Sequence, residues 1–183
     1  MAKNDKKAAT ARSAAVEILQ QVLGEGAYTN IAVNKCLRSH ELSDMDRRLM
    51  TELVYGTVKA VGTIDWYLQQ CVTRPLDKID KLVLSILRIS VYQLLYMDKI
   101  PASAACNEAV NLARLFTHEG NAKFVNGVLR GLLRKKDSFT FPDAEKETAD
   151  YISLAMYHPR WLVKKWLKNY GRTETEALCA FDN

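Results

Sequence analysis

Much is missing from this sequence of 183 residues, and each absence closes a chemistry. There is no G-x-G-x-x-G, P-loop, G-x-S-x-G or H-E-x-x-H. The dinucleotide, nucleoside-triphosphate, serine-hydrolase and zinc-protease sites that depend on those spacings are therefore excluded. The four cysteines, Cys36, Cys71, Cys106 and Cys179, form no C-x-x-C pair, and no histidine completes a zinc-ligand set with them. Reduced, mostly buried thiols of a cytoplasmic protein are expected, with no metal site and no disulfide framework. The three histidines, His40, His118 and His158, fall in breaks between elements, where none is placed as a catalytic base. The N-terminus lacks the apolar core of a signal peptide. No run of alternating apolar residues is long enough for a strand, so no sheet is expected.

What is present is helical period. Leu82–Met97 is apolar on nearly every side, which calls for surrounding helices or for lipid. It is too short, and too charged at its flanks, to span a membrane. It is expected to be the central helix of an all-α bundle. Around it the sequence predicts helices over Thr10–Leu23, Thr29–Leu37, a third one opened by Ser43 and Asp46 as a near capping box, Thr63–Val72 and Ala102–Phe116. A last bundle helix is predicted to start near Asn121. Thr29 is the predicted cap of the second helix, and Gly62 the predicted break after the third. Residues 1–9 read as a flexible basic arm and 10–136 as one helical domain. Residues 137–183 read as a polar linker followed by helices, with Gly171 ending the amphipathic one that begins near Trp161. The chain stops without a closing signal, which predicts a natural protein that continues past Asn183.

The net charge of +5 permits a nucleic-acid partner without demanding one, so its distribution matters more than its size. From Asn121 to Lys136 there are five cations and no acid. Phe124, Val125, Val128, Leu129, Leu132 and Leu133 form an apolar stripe, and Lys123, Arg130 and Arg134 lie opposite it. That face is either a solvated surface with cations favouring the helix C-terminus or a phosphate-binding patch. Lys3, Lys6, Lys7 and Arg12 add charge at the other end of the chain. Phe116 and Phe124 flank the loop before this helix, as core residues or as stacking platforms for bases. Arg88, alone among apolar neighbours, must be paired, and Glu108 on the next helix is the expected partner.

Three long motifs occur in order: DRRLMTELVYGTVKAVGTIDWYL, LRISVYQLLYMDKIPASAACNEAVNLAR and KFVNGVLRGLL. Together they make residues from about Ala8 to Lys136 resemble the NusB family. That all-helical RNA-binding fold is found as a free transcription antitermination factor and as the N-terminal domain of bacterial 16S rRNA cytosine-C5 methyltransferases. The wording of the motifs, and the residues that follow them (YHPRWLVKKWLKNYG among them), resemble the methyltransferase branch more closely.

The resemblance implies an RNA-binding domain that helps a catalytic part find ribosomal RNA. S-adenosylmethionine would be bound by the parent enzyme and no cofactor by this chain, which lacks both the glycine-rich cofactor turn and the Pro-Cys nucleophile. It implies RNA contacts at Lys6, Lys7, Arg12, Phe116, Lys123, Phe124 and Asn126, which join Arg130 and Arg134 from the charge pattern. Gln20 and Gln21 depart from it, standing where an aromatic RNA contact is expected. Alternative roles are an antitermination factor regulating transcription, or a module that docks on its own catalytic domain or a ribosomal protein.

Overall fold

The computed structural model describes residues 10–183, and no strand occurs among them. Helix α1 (Ala11–Leu19) opens on a reciprocal cap. Thr10 Oγ1 accepts the Ser13 N–H at 3.1 Å and Ser13 Oγ accepts the Thr10 N–H at 2.9 Å. The helix then widens into a π turn over Gln20–Gly24 instead of continuing as α to Leu23. In this turn Gln20 Nε2 donates to Lys81 O at 2.5 Å and to Ser85 Oγ at 2.7 Å. The glutamine that broke the family pattern is therefore a tie to the centre of the bundle.

Helix α2 (Thr29–Ser39) is capped by Tyr28 rather than by Thr29, which is already helical; Tyr28 supplies the extended backbone at φ −68° and ψ 129° but no side-chain acceptor. Ser43 caps α3 (Asp44–Lys59), its Oγ accepting the Asp46 N–H at 3.1 Å. The break before α4 (Val61–Gln69) falls at Ala60, at φ −90° and ψ 9°, and Gly62 sits inside the new helix. The turn there is made by one residue leaving helical geometry, so the glycine was a misleading signal.

Helix α5 (Lys81–Tyr96) starts where Asp80 Oδ1 accepts the N–H groups of Leu82 and Val83 at 2.9 and 3.1 Å. It packs against α1, α3, α4, α6 (Ala102–Phe116) and α7 (Glu119–Lys135), which is why it tolerates apolar residues all round. Ile86, Leu87 and Ile89 of this helix are wholly buried, each stabilising the fold by about 1.5–3 kcal/mol relative to exposure.

Arg88 is paired, but not with Glu108. Its Nε and Nη2 donate to the two carboxylate oxygens of Asp65 on α4, at 2.8 and 2.7 Å. Arg88 points to the side of α5 covered by α4. On the α6 side, small buried residues such as Ala109 and Ala113 meet the core, and half-buried Glu108 forms no ion pair with Arg88. Another close fit lies between α3 and α5. A Cβ at Gly56 would sit 2.1 Å from Tyr92 Cζ, so glycine here makes room for the Tyr92 ring, whose hydroxyl donates to Glu52 Oε1 at 2.5 Å.

Past α7 the chain stays in contact with the bundle. Phe139 and Phe141, in the stretch that reads as a linker, lie edge-on to Trp66 of α4 with ring centroids 6.1 and 5.1 Å away. Helix α8 (Thr148–Ala155) rests on α4, where Thr63 Oγ1 donates to Leu154 O at 2.7 Å. Helix α9 (Arg160–Asp182) is broken at Gly171, whose φ of 79° is in the left-handed region that favours glycine. Ile152, Val163 and Cys179 form a small second core between α8 and α9. Arg160 closes that corner with a forked pair to Asp150. No helix among the described residues is long and apolar enough to cross a membrane.

Candidate nucleic-acid interface

Helix α7 is sharply two-sided because its sequence is. Ala122, Val125, Val128, Leu129 and Leu132 are buried, whereas Lys123, Arg130 and Arg134 are exposed. At 100° per residue, positions 123, 127, 130 and 134 fall within about 60° of arc, and the row spans about 16 Å along the axis. Gly127 lies in this row, and beyond its chain neighbours and the helix's own backbone no atom comes within 4 Å of where its Cβ would be. The backbone is therefore bare between Lys123 and Arg130, and a ligand can approach it closely. Asn126 borders the row, its Oδ1 accepting from Arg130 Nε at 3.2 Å, which steers the guanidinium while leaving its outer N–H groups free to donate.

The single acid at this end of the helix does not cancel the row. Glu119 is gripped by Arg114 from α6, Nε to Oε2 at 2.8 Å and Nη2 to Oε1 at 3.1 Å. That hydrogen-bonded fork, with a smaller contribution from Lys123, holds the Glu119 carboxyl below the usual carboxylate range. Among the described residues, Lys123, Arg130 and Arg134 form no ion pair. Three cations on an exposed ridge without carboxylate partners are suited to a polyanion.

The other predicted contacts fare unevenly. Phe116, at the end of α6, and Phe124, on the shoulder of α7, are half-buried and packed against the core. Phe124 is also covered: the guanidinium carbon of Arg74 sits 4.6 Å from its ring centroid. Arg12 is half-buried on α1 and donates from Nε to Gln93 Oε1 of α5 at 2.8 Å, which fixes it to the bundle. Lys6, Lys7 and the rest of the basic arm lie outside the described residues.

Sequence reasoning missed Arg74 and Arg114, and it counted Lys135 among the cations of this helix without its tie to the α4 end, where Lys135 Nζ donates to Gln70 O at 3.1 Å. Arg74 precedes Pro75 and reads in sequence only as the end of a helix. Its partner is 50 positions further on, and no local pattern points to it. The four thiols all have raised pKa values, chiefly through burial, which opposes a nucleophilic role.

An all-helical bundle around one buried apolar helix, with a basic ridge on its last helix, defines a class rather than a reaction. The chain belongs to the NusB family, whose sequence model matches residues 9–134. It is 39% identical over 174 residues to the probable ribosomal RNA small subunit methyltransferase B of Bacillus subtilis, an alignment covering 94% of this chain and 38% of that protein. It is 31% identical over 166 residues to the ribosomal RNA small subunit methyltransferase B of Escherichia coli O157:H7, covering 90% of this chain and 36% of that one. The chain thus spans well under half the length of these relatives.

Among solved structures, the fold is similar to that in a crystal structure of the antitermination factors NusB and NusE in complex with dsRNA. The TM-score is 0.63 at 20% identity, over 68% of this chain and 93% of that one. It is also similar to the crystal structure of PH0851, with a TM-score of 0.70 at 19% identity, over 96% of this chain and 39% of that one. The latter likeness takes in α8 and α9 as well as the bundle.

Proposed function

We propose that this chain is an RNA-binding domain acting in the cytoplasm, and that it helps a 16S rRNA (cytosine-C5) methyltransferase engage its substrate. The observation that carries the reading is the row Lys123, Arg130 and Arg134 on α7, exposed and without acid partners among the described residues. An RNA backbone is the partner such a row suits, since cations spaced along a helix meet successive phosphates without reading bases, and the names of the relatives point to ribosomal RNA. The relatives favour the methyltransferase setting. Similarity to proteins named as rRNA methyltransferases runs through 94% of the chain, whereas the likeness to the NusB–NusE–RNA structure covers 68%.

The methyl donor has no fit on the described residues. S-adenosylmethionine would need a strand running into a glycine-rich turn, and these residues are helical with no strand. Methyl transfer is therefore assigned to a separate catalytic part, and the role here is to hold and orient RNA.

A second reading is favoured by α9. Trp161 is 67% exposed and Phe181 93% exposed, with Tyr170 and Leu178 also open. Exposed apolar groups mark protein contact where they adjoin in one patch. Docking onto a catalytic domain or a ribosomal protein through α9 is compatible with RNA on α7, and antitermination is the remaining alternative.

Salt separates the two surfaces. In fluorescence titrations of the chain with single-stranded RNA, the three phosphate contacts of the ridge contribute about −2 to the slope of log K against log salt. Binding through an apolar surface gives a slope near zero, and that result would contradict the ridge.

A further inference from the structure

The α4–α5 turn carries an arginine that the ridge alone does not explain. Arg74 is exposed, and among the described residues it forms no ion pair; the nearest acid in its own turn, Asp77, is 3.5 Å from Lys78. An arginine free of carboxylates normally samples many rotamers, but this one is held. Its guanidinium carbon lies over the Phe124 ring at 4.6 Å, and its backbone carbonyl accepts from Gln69 Nε2 at 3.3 Å. Pro75 fixes the following φ at −57°. The turn is itself fastened to α7 through Lys135 Nζ and Gln70 O at 3.1 Å. Arg74, a cation from outside α7, is thereby set against the shoulder of that helix, whose own Lys135 ties the turn in place.

Resting on the RNA reading above, we propose that Arg74 is a further RNA contact, a guanidinium clamp for a backbone phosphate, and that Phe124 acts by supporting it. The ring is packed on the core on one side and covered by Arg74 on the other, so it offers no free face to a base. The planar guanidinium keeps N–H groups that match the oxygens of a phosphate, and a fixed fork forms such bonds with little further ordering. The site therefore takes single-stranded RNA across two rows, the α7 ridge and the α4–α5 turn. Phe124 is a positioning residue here.

A double-variant cycle on the full 183-residue chain tests this. The probe is a fluorescein-labelled, unstructured single-stranded RNA of about 20 nucleotides, read by anisotropy between about 50 and about 200 mM salt. Arg74→Ala weakens binding about 5- to 10-fold and makes the salt slope shallower by about 0.7. Phe124→Leu weakens it about 3-fold, and the double variant binds about as Arg74→Ala does, because the ring acts through the arginine. Arg74→Ala is an exposed change and keeps the wild-type melting temperature. Its salt slope therefore decides the matter even if Phe124→Leu loosens the fold.

Wild-type affinity in Arg74→Ala, alongside weakened binding when the α7 cations are removed, overturns the clamp and leaves the RNA reading standing. Multiplying effects in the double variant overturn the supporting role, since Phe124 would then touch RNA by itself. A wild-type chain with no affinity for the probe removes the RNA reading, and the clamp with it.

Discussion

With Lys123, Arg130 and Arg134 all changed to alanine, affinity for single-stranded RNA falls about 100-fold, close to 1 kcal/mol for each lost phosphate contact. The melting temperature meanwhile stays within about 2 °C of wild type, as expected for surface positions. The two halves of this result come from the same geometry. The three side chains are exposed and unpaired among the described residues, so removing them breaks no internal ion pair; Arg130 gives up only its bond to Asn126. Alanine also favours helix, which offsets what little is lost. Glutamine in place of alanine separates charge from bulk, because glutamine keeps part of the side chain and a hydrogen-bonding amide while the charge is gone. Affinity in the glutamine variant is expected to match the alanine variant. Anisotropy titration measures the affinity and circular dichroism the stability.

Asp65→Ala has the largest expected effect on the fold itself. It leaves Arg88 charged at a position whose side chain is 15% exposed, within a helix surrounded by apolar residues. Breaking a mostly buried pair from one side costs about 3 kcal/mol. For a chain of this size the melting temperature falls by roughly 9 °C. The pair is less a source of stability than a requirement once one member exists. Changing both, Asp65→Leu with Arg88→Met, removes two desolvated charges together and is expected to return most of the lost stability. Urea unfolding of the two variants checks this. A single variant as stable as wild type would show that water reaches the guanidinium freely.

The bundle could be read from the sequence to the extent that its signals are local. The all-round apolar run that became α5 marks burial by its own composition, and the alanines of α6 mark close packing in the same way. The bounds Ala102–Phe116 are set by Pro101 before and by a polar loop after. Local signals also misled. Gly62 reads as a break, yet the chain leaves helical geometry at Ala60, and α4, which packs on α5 and α8, begins at Val61. Thr29 reads as a cap and is the first helical residue instead.

Choices between partners were beyond reach for a different reason. Arg88 announces that it needs an acid, but whether Asp65 or Glu108 answers depends on which side of α5 each helix covers. The basic row on α7 was visible as spacing along one helix. Arg74 was not, since its place beside Phe124 exists only once the α4–α5 turn is folded against α7. The polar stretch after α7 read as a linker because its composition is that of one. Its two phenylalanines find Trp66 and Tyr67 across the fold.

The central claim is a location: RNA lies along the outer face of α7. Amide chemical-shift mapping of the isotope-labelled chain during titration with single-stranded RNA reads that location residue by residue. The account predicts the largest changes at Lys123, Gly127, Arg130 and Arg134, with a second group around Arg74 and few along α9. Changes confined to the exposed apolar residues of α9, with α7 unmoved at saturating RNA, would contradict it.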